Sequence, residues 1–176
     1  MRKNLTIYLS LSTVFAGLVA VSTMIIRIPV AATGGYINIG DAMIFICALT
    51  FGSIIGGLAG GIGSAIADMI GYPAYAPFTL IIKGLEGFSA GFIKDGKNIK
   101  RDLLAWGIGS SIMVIGYFIV ESYIMKLGVA AALVEVPGNL FQVFFGGLVG
   151  IPVTKILRKR LANISTLKPF LERFSS

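Results

Sequence analysis

From Ile37 to Gly71 the chain reads INIGDAMIFICALTFGSIIGGLAGGIGSAIADMIG. A helix that crosses a hydrocarbon layer of about 30 Å needs about 20 residues at about 1.5 Å each. At about 35 apolar residues this stretch is too long for one crossing and barely enough for two. Phe51-Gly52-Ser53 interrupts it near the middle. Whether it crosses once or twice decides on which side everything downstream lies.

Charge settles the choice. Twelve of the fifteen basic residues fall into three groups: Arg2 and Lys3; Lys94, Lys97, Lys100 and Arg101; and Lys155, Arg158, Lys159, Arg160, Lys168 and Arg173. Cytoplasmic loops are enriched in Lys and Arg, so the three groups should share one face, with an even number of crossings between them. A single crossing in 37–71 would put the middle group opposite the first. Two short helices, 40–51 and 54–70, restore agreement. The other helices are expected at 5–27, 77–93, 102–126 and 136–157, the fourth and sixth started by Pro77 and Pro137 in their first turns. The fold class is therefore an all-α membrane protein, a single domain of six transmembrane helices over residues 1–176, multi-pass in the cell membrane with N- and C-termini cytoplasmic.

Composition agrees. With 56% apolar and 13% charged residues and a mean hydropathy of +0.88, the chain has too little polar surface for a water-soluble globule. A net charge of +7 follows the membrane rule, and no stripe of aromatic and basic residues is present to read nucleic acid. There is no histidine and one cysteine, Cys47, which removes disulfides, His-based metal sites and Ser-His or Cys-His catalytic pairs. No metal, cofactor or catalytic residue is expected.

The polar residues inside the apolar segments are sorted by depth. An ionisable group in hydrocarbon costs at least about 2.5 kcal/mol on insertion scales, so each asks for a partner or a function. Counting from the outer helix ends at about 1.5 Å per residue, Lys83 and Glu86 lie about 9 and 14 Å deep, Glu121 about 8 Å, and Asn139 and Gln142 about 5 and 9 Å. Asp41 opens the second helix and Asp68 nearly closes the third. All fall in the outer half, the pattern of a cavity open outward and sealed inward. Tyr117 shares a helix face with Glu121, and Tyr72 and Tyr75, in a loop stiffened by Pro73 and Pro77, are placed to cover that cavity. Each residue also has a purely structural account: Lys83 with Glu86 as an intrahelical pair, Asp41 at a helix dipole, Asp68 bonding nearby backbone, Asn139 and Gln142 as interhelical glue. Their common depth is what those accounts leave unexplained. Trp106 reads as an interfacial anchor.

Small residues crowd helices one and three: Ser12, Ala16 and Ala20 at four-residue spacing, then Gly56, Gly57, Gly60, Gly61, Gly63 and Ser64. Such strips let helix backbones approach closely. On the third helix the strip reads as internal packing; on the first it serves equally well as internal packing or as the seat of a partner helix.

Gly35-Tyr36-Ile37-Asn38-Ile39-Gly40-Asp41, Ala67-Asp68-Met69-Ile70-Gly71, Tyr75-Ala76-Pro77 leading to Lys83-Gly84, and Pro137-Gly138-Asn139 with Gln142 together resemble the substrate-binding S component of energy-coupling factor (ECF) vitamin transporters, in order over about Leu5 to Lys159. The resemblance implies capture of a water-soluble vitamin or precursor from outside, beside a transmembrane T component and two ATPase subunits that topple the S component in the bilayer. It implies that Ser12, Ala16 and Ala20 dock the T component and that the first and third outer loops close over the ligand. ATP hydrolysis would belong to the partners, consistent with the missing GxxxxGK[ST] motif. The substrate-binding residues expected are Asp41, Asp68, Tyr72, Tyr75, Lys83, Glu86, Tyr117, Glu121, Asn139 and Gln142. More carboxylates than cations, with amides and tyrosines, suit a small neutral or weakly basic heteroaromatic ring bearing hydroxyls. Among family substrates that favours pyridoxine or hydroxymethylpyrimidine, with riboflavin next. The alternative is a proton-coupled secondary transporter using Glu86, Glu121 and Asp68 as a relay, against which the lack of a visible inverted repeat argues.

Overall fold

The computed structural model describes residues 2–163 except Lys97; Lys168 and Arg173 of the basic tail, and Lys97, lie outside the described residues. The elements run α1 (Arg2–Ile25), β1 (Ile28–Val30), β2 (Gly35–Ile37), α2 (Gly40–Phe51), α3 (Ser53–Gly71), α4 (Ala76–Ile93), α5 (Ile99–Ile119) with a π-helical turn Val120–Ile124, and α6 (Val129–Leu161). Among the described residues the chain is helical, with one small hairpin.

The break in the decisive stretch is real. Gly52 sits at φ 92°, a backbone conformation that side-chain-bearing residues rarely adopt, and there α2 ends and α3 begins. Leu5–Ile25, Ser53–Gly71, Ile99–Ile124 and Val129–Leu161 are long and apolar enough to cross a membrane. α2 has 12 residues, about 18 Å of helix, short of the full layer. Its residues are buried apart from Met43, which is partly so, and α2 forms the centre around which α1, α3, α4 and α6 pack.

Close contact between α3 and α4 rests on glycine. A methyl group at Gly56, Gly60 or Gly61 would lie 2.7 Å from the carbonyl oxygens of Gly87, Lys83 and Leu80 respectively, nearer than any real side chain approaches. The α4 backbone thus lies directly on α3, which fixes where Lys83 and Glu86 project. On its other side α3 receives α1, with Gly63 against the Ala16 carbonyl. Ser12, Ala16 and Ala20 are all buried. The small-residue strip of α1 therefore packs inside this chain, and the outward face of α1 is Val14, Gly17, Leu18 and Val21.

At one end of the bundle Phe15, Cys47, Phe51 and Ile55 pack together with Tyr8 and Leu161. Here the unpaired carbonyls at the C-terminus of α2 meet cations. The Arg158 Nε donates to Leu49 O at 3.1 Å while its terminal nitrogens grip the Asp102 carboxylate at 2.5 and 3.0 Å. Lys94 reaches Thr50 O at 3.4 Å. The start of α1, the α4–α5 loop and the end of α6 all gather at this end, as charge parity requires.

Two expectations need correcting. Helix six starts at Val129, seven residues before the expected start, with Pro137 inside it rather than in the first turn. The 28–37 segment forms an antiparallel hairpin with Pro29 opposite Tyr36, where only loop was expected. Trp106, read from the sequence only as an interfacial residue, is also tied into the bundle: it is half-buried, lies against Gly147, and its Nε1 donates to Val143 O at 2.8 Å.

Candidate functional site

The opposite end of the bundle, below the hairpin, holds a nearly closed chamber of about 20 Å³ between α1, α3, α4, α5 and α6. Gly35, Tyr36 and Asn38 of the hairpin segment roof it; Thr79 and Lys83 of α4, Met113 and Tyr117 of α5, and Glu135, Asn139 and Gln142 of α6 form its walls.

The roof is tied on three sides. Tyr36 donates its phenol to Asp68 at the end of α3. Tyr75, at the start of α4, donates to Thr33 O at 3.0 Å, and the Thr33 hydroxyl donates to Glu135 on α6. The Asn38 backbone N–H donates to Gln142 Oε1 at 2.7 Å, whose amide donates in turn to Asn139 Oδ1 at 2.9 Å. Burial, reinforced at Tyr36 by Asp68, raises the pKa of both hairpin-side phenols, Tyr36 and Tyr75, so both remain donors. Above them Arg27 lies over the rings of Tyr36 and Tyr72, 5.1 and 5.8 Å from their centroids, with the rings stacked at 4.3 Å. Its guanidinium also donates to Ala67 O at 2.7 Å.

In the floor, Lys83 is paired with Asp41 of α2 and with Glu86 one turn on, 3.1 Å away. All three are at most 2% exposed. A buried ammonium needs such partners, because removing either charge alone leaves the other without solvation. Thr79 and Tyr117 share a hydrogen bond of 2.9 Å between α4 and α5.

Of the ten residues expected at the site, Asp68, Tyr75, Lys83, Tyr117, Asn139 and Gln142 line the chamber directly. The other four stand behind the lining. Asp41 and Glu86 hold Lys83; Tyr72 stacks on Tyr36; Glu121 lies against Glu135. Sequence reasoning missed Glu135, and with it Tyr36, Asn38, Thr23 and Ser64 as wall residues. Glu135 did leave a signal: it precedes Asn139 by four and Gln142 by seven residues, one face of a helix. Placing Pro137 in the first turn hid it. Glu121 owes its direction to the π-turn 120–124, an insertion that shifts side chains round the helix and recurs at functional sites.

A cavity roofed by a hairpin and walled by hydrogen-bonding groups within an apolar bundle suits capture of a small polar molecule. Comparison with known families points the same way: the family model for "ECF-type riboflavin transporter, S component" matches residues 4–159. The chain belongs to that family. It is a multi-pass membrane protein and a substrate-binding subunit of a transporter, not an enzyme; the family implies a vitamin-type substrate and partnership with T and ATPase components. This S component is also 44% identical over 147 residues to a Pyrococcus woesei protein described as "Uncharacterized protein in gap 3'region". That match covers 83% of this chain and 98% of the relative.

Proposed function

We propose that this S component captures a single-ring heteroaromatic vitamin or precursor bearing hydroxymethyl groups, of the pyridoxine or hydroxymethylpyrimidine type, in the chamber below the hairpin. The observation that carries this reading is the chamber's lining of Asp68, Lys83, Tyr117, Glu135, Asn139 and Gln142. Such a set supplies several donors and acceptors around one ring while the tyrosines supply flat contact. Riboflavin is the second reading, carried by the description of the matched family. Its three fused rings and sugar-alcohol chain would need the hairpin lifted further than a single ring requires.

In this reading the hairpin is the gate. Entry breaks the bonds from Tyr36, Tyr75 and Thr33, and they form again over the bound ligand. The subunit spans the membrane six times with both ends cytoplasmic, α2 and the hairpin segment together completing one crossing. Uptake needs a T component and two ATPases, and contact with the T component uses the outward face of α1 beside the buried Ser12, Ala16 and Ala20 strip. Mass spectrometry of small molecules released from the detergent-purified protein tests the ligand. A stoichiometric pyridine or pyrimidine alcohol supports the first reading; riboflavin replaces it with the second. Uptake that persists without the ATPases and follows the proton gradient would transfer the chain to the carrier class.

A further inference from the structure

The basic end of the bundle, away from the chamber, carries a cavity of its own. A half-open pocket of about 460 Å³ lies between the start of α5 and the last turns of α6, lined by Gly96, Ile99, Asp102, Lys155, Arg158 and Lys159. Three cations line it against one carboxylate. Asp102 is already answered, since Arg158 grips it at 2.5 and 3.0 Å while also donating to Leu49 O. Lys155 and Lys159, both exposed, form no ion pair among the described residues. Their spacing of four puts both ammonium groups on one face of α6, where like charges repel. The α5 dipole adds to the same sign, because that helix begins at Ile99 in the pocket wall. The pocket therefore holds an excess of positive charge and fits an anion.

The surface beside the pocket says which kind of anion. Ile99 and Leu103, four residues apart on α5, are 48% and 47% exposed. On α6, Leu148 and Pro152, seven and three residues before Lys155, are exposed on the face that carries the two lysines. In a membrane-spanning chain such side chains meet acyl tails, so the cationic pocket opens directly onto hydrocarbon. We propose that it seats the phosphate of an anionic membrane lipid, with Lys155 and Lys159 pairing to the phosphate and the tails lying along Ile99, Leu103 and Leu148. Basic pockets between helix ends at the membrane surface recognise anionic headgroups by this combination. A zwitterionic headgroup brings its own cation, which the same lysines repel. Below the pocket α5 and α6 meet where Trp106 lies against Gly147, about 10 Å along α5 from Ile99. Trp106 is the chain's one tryptophan, which makes it a reporter for a lipid tail at this place.

The test is tryptophan fluorescence of the intact protein in phosphatidylcholine vesicles containing either brominated phosphatidylglycerol or brominated phosphatidylcholine as the quencher. The anionic lipid should be favoured at Trp106 by about fivefold or more, the effect of a lysine on an anionic headgroup. Lys155→Gln combined with Lys159→Gln should bring the two lipids to nearly equal quenching. Lys100→Gln combined with Arg101→Gln removes two cations from the same end but outside the pocket, and should keep the preference. Equal quenching by the two lipids in the wild type, none included, overturns the inference. Equal loss of preference in both double variants overturns it too, since the cause would then be general surface charge. Inorganic phosphate, titrated at constant ionic strength, separates the two sources of the anion. A preference that survives millimolar phosphate supports the lipid, and one that vanishes identifies a site for a soluble anion and overturns the assignment.

Discussion

The Thr33 hydroxyl, at the hairpin turn, donates to the Glu135 carboxylate 102 residues further along the chain. Through this bond the hairpin turn is held to the chamber end of α6, directly over the chamber. Together with Tyr75 to Thr33 O at 3.0 Å and Tyr36 to Asp68, it fastens the roof by hydrogen bonds in addition to the stacking of Tyr36 on Tyr72.

Thr33→Val keeps the shape of residue 33 and removes its donor. A net hydrogen bond contributes about 1 kcal/mol, so ligand dissociation should quicken about fivefold, with little change in melting temperature. Stopped-flow displacement of bound ligand reads this directly. An unchanged dissociation rate would mean that the hairpin is not the gate.

Gly60→Ala puts a methyl group 2.7 Å from Lys83 O. The helices must separate, at about 1 to 3 kcal/mol for overpacking, and the displacement carries Lys83 with it. Melting temperature and ligand affinity should both fall. Gly107→Ala is the control, since nothing lies within 4 Å of a methyl group there; it should leave both unchanged. Equal behaviour of the two variants would contradict the close α3–α4 contact.

Lys94 gives a pH dependence at the other end of the bundle. Burial first, then the nearby Arg158, lowers its pKa from an ordinary 10.5 to about 8. Between those values the unfolded chain holds a proton that the folded chain has released, so stability rises with pH across that window. Below about pH 8 both states are protonated and the dependence from this group vanishes. The difference in melting temperature between wild type and Lys94→Met should therefore change steadily from about pH 8 upward, in the direction of a gain for the wild type. A flat difference would show that Lys94 titrates normally.

The legible parts of this fold are those where one residue type has one physical meaning. Lys94, Lys100, Arg101 and Lys155 to Arg160 mark a common end because charge is sorted across membranes, and the structure gathers those segments there. Gly52 marks the break between α2 and α3 because only glycine accepts its backbone angles comfortably. The common depth of Asp68, Lys83, Asn139 and Gln142 anticipated their meeting around one cavity.

What was illegible depended on context. Pro137 fits a first turn or a helix interior packed among others, and the wrong choice concealed Glu135. Strands of three residues are too short to alternate visibly, so 28–30 and 35–37 read as loop. A π-turn has no pattern of its own, and without it Glu121 could not be aimed at Glu135. The spacing of Ser12, Ala16 and Ala20 announces a close helix contact without saying whose helix; here it is α3.

The central claim is that the chamber below the hairpin holds the transported molecule, and calorimetric binding to wild type and Asn139→Ala tests it most directly. Asn139 lines the chamber at 2% exposure and supports Gln142 at 2.9 Å. The account predicts one-to-one saturable binding of a heteroaromatic vitamin to the wild type, with affinity lowered about tenfold or more in the folded variant. Binding that is identical in the two proteins would place the ligand elsewhere and contradict it.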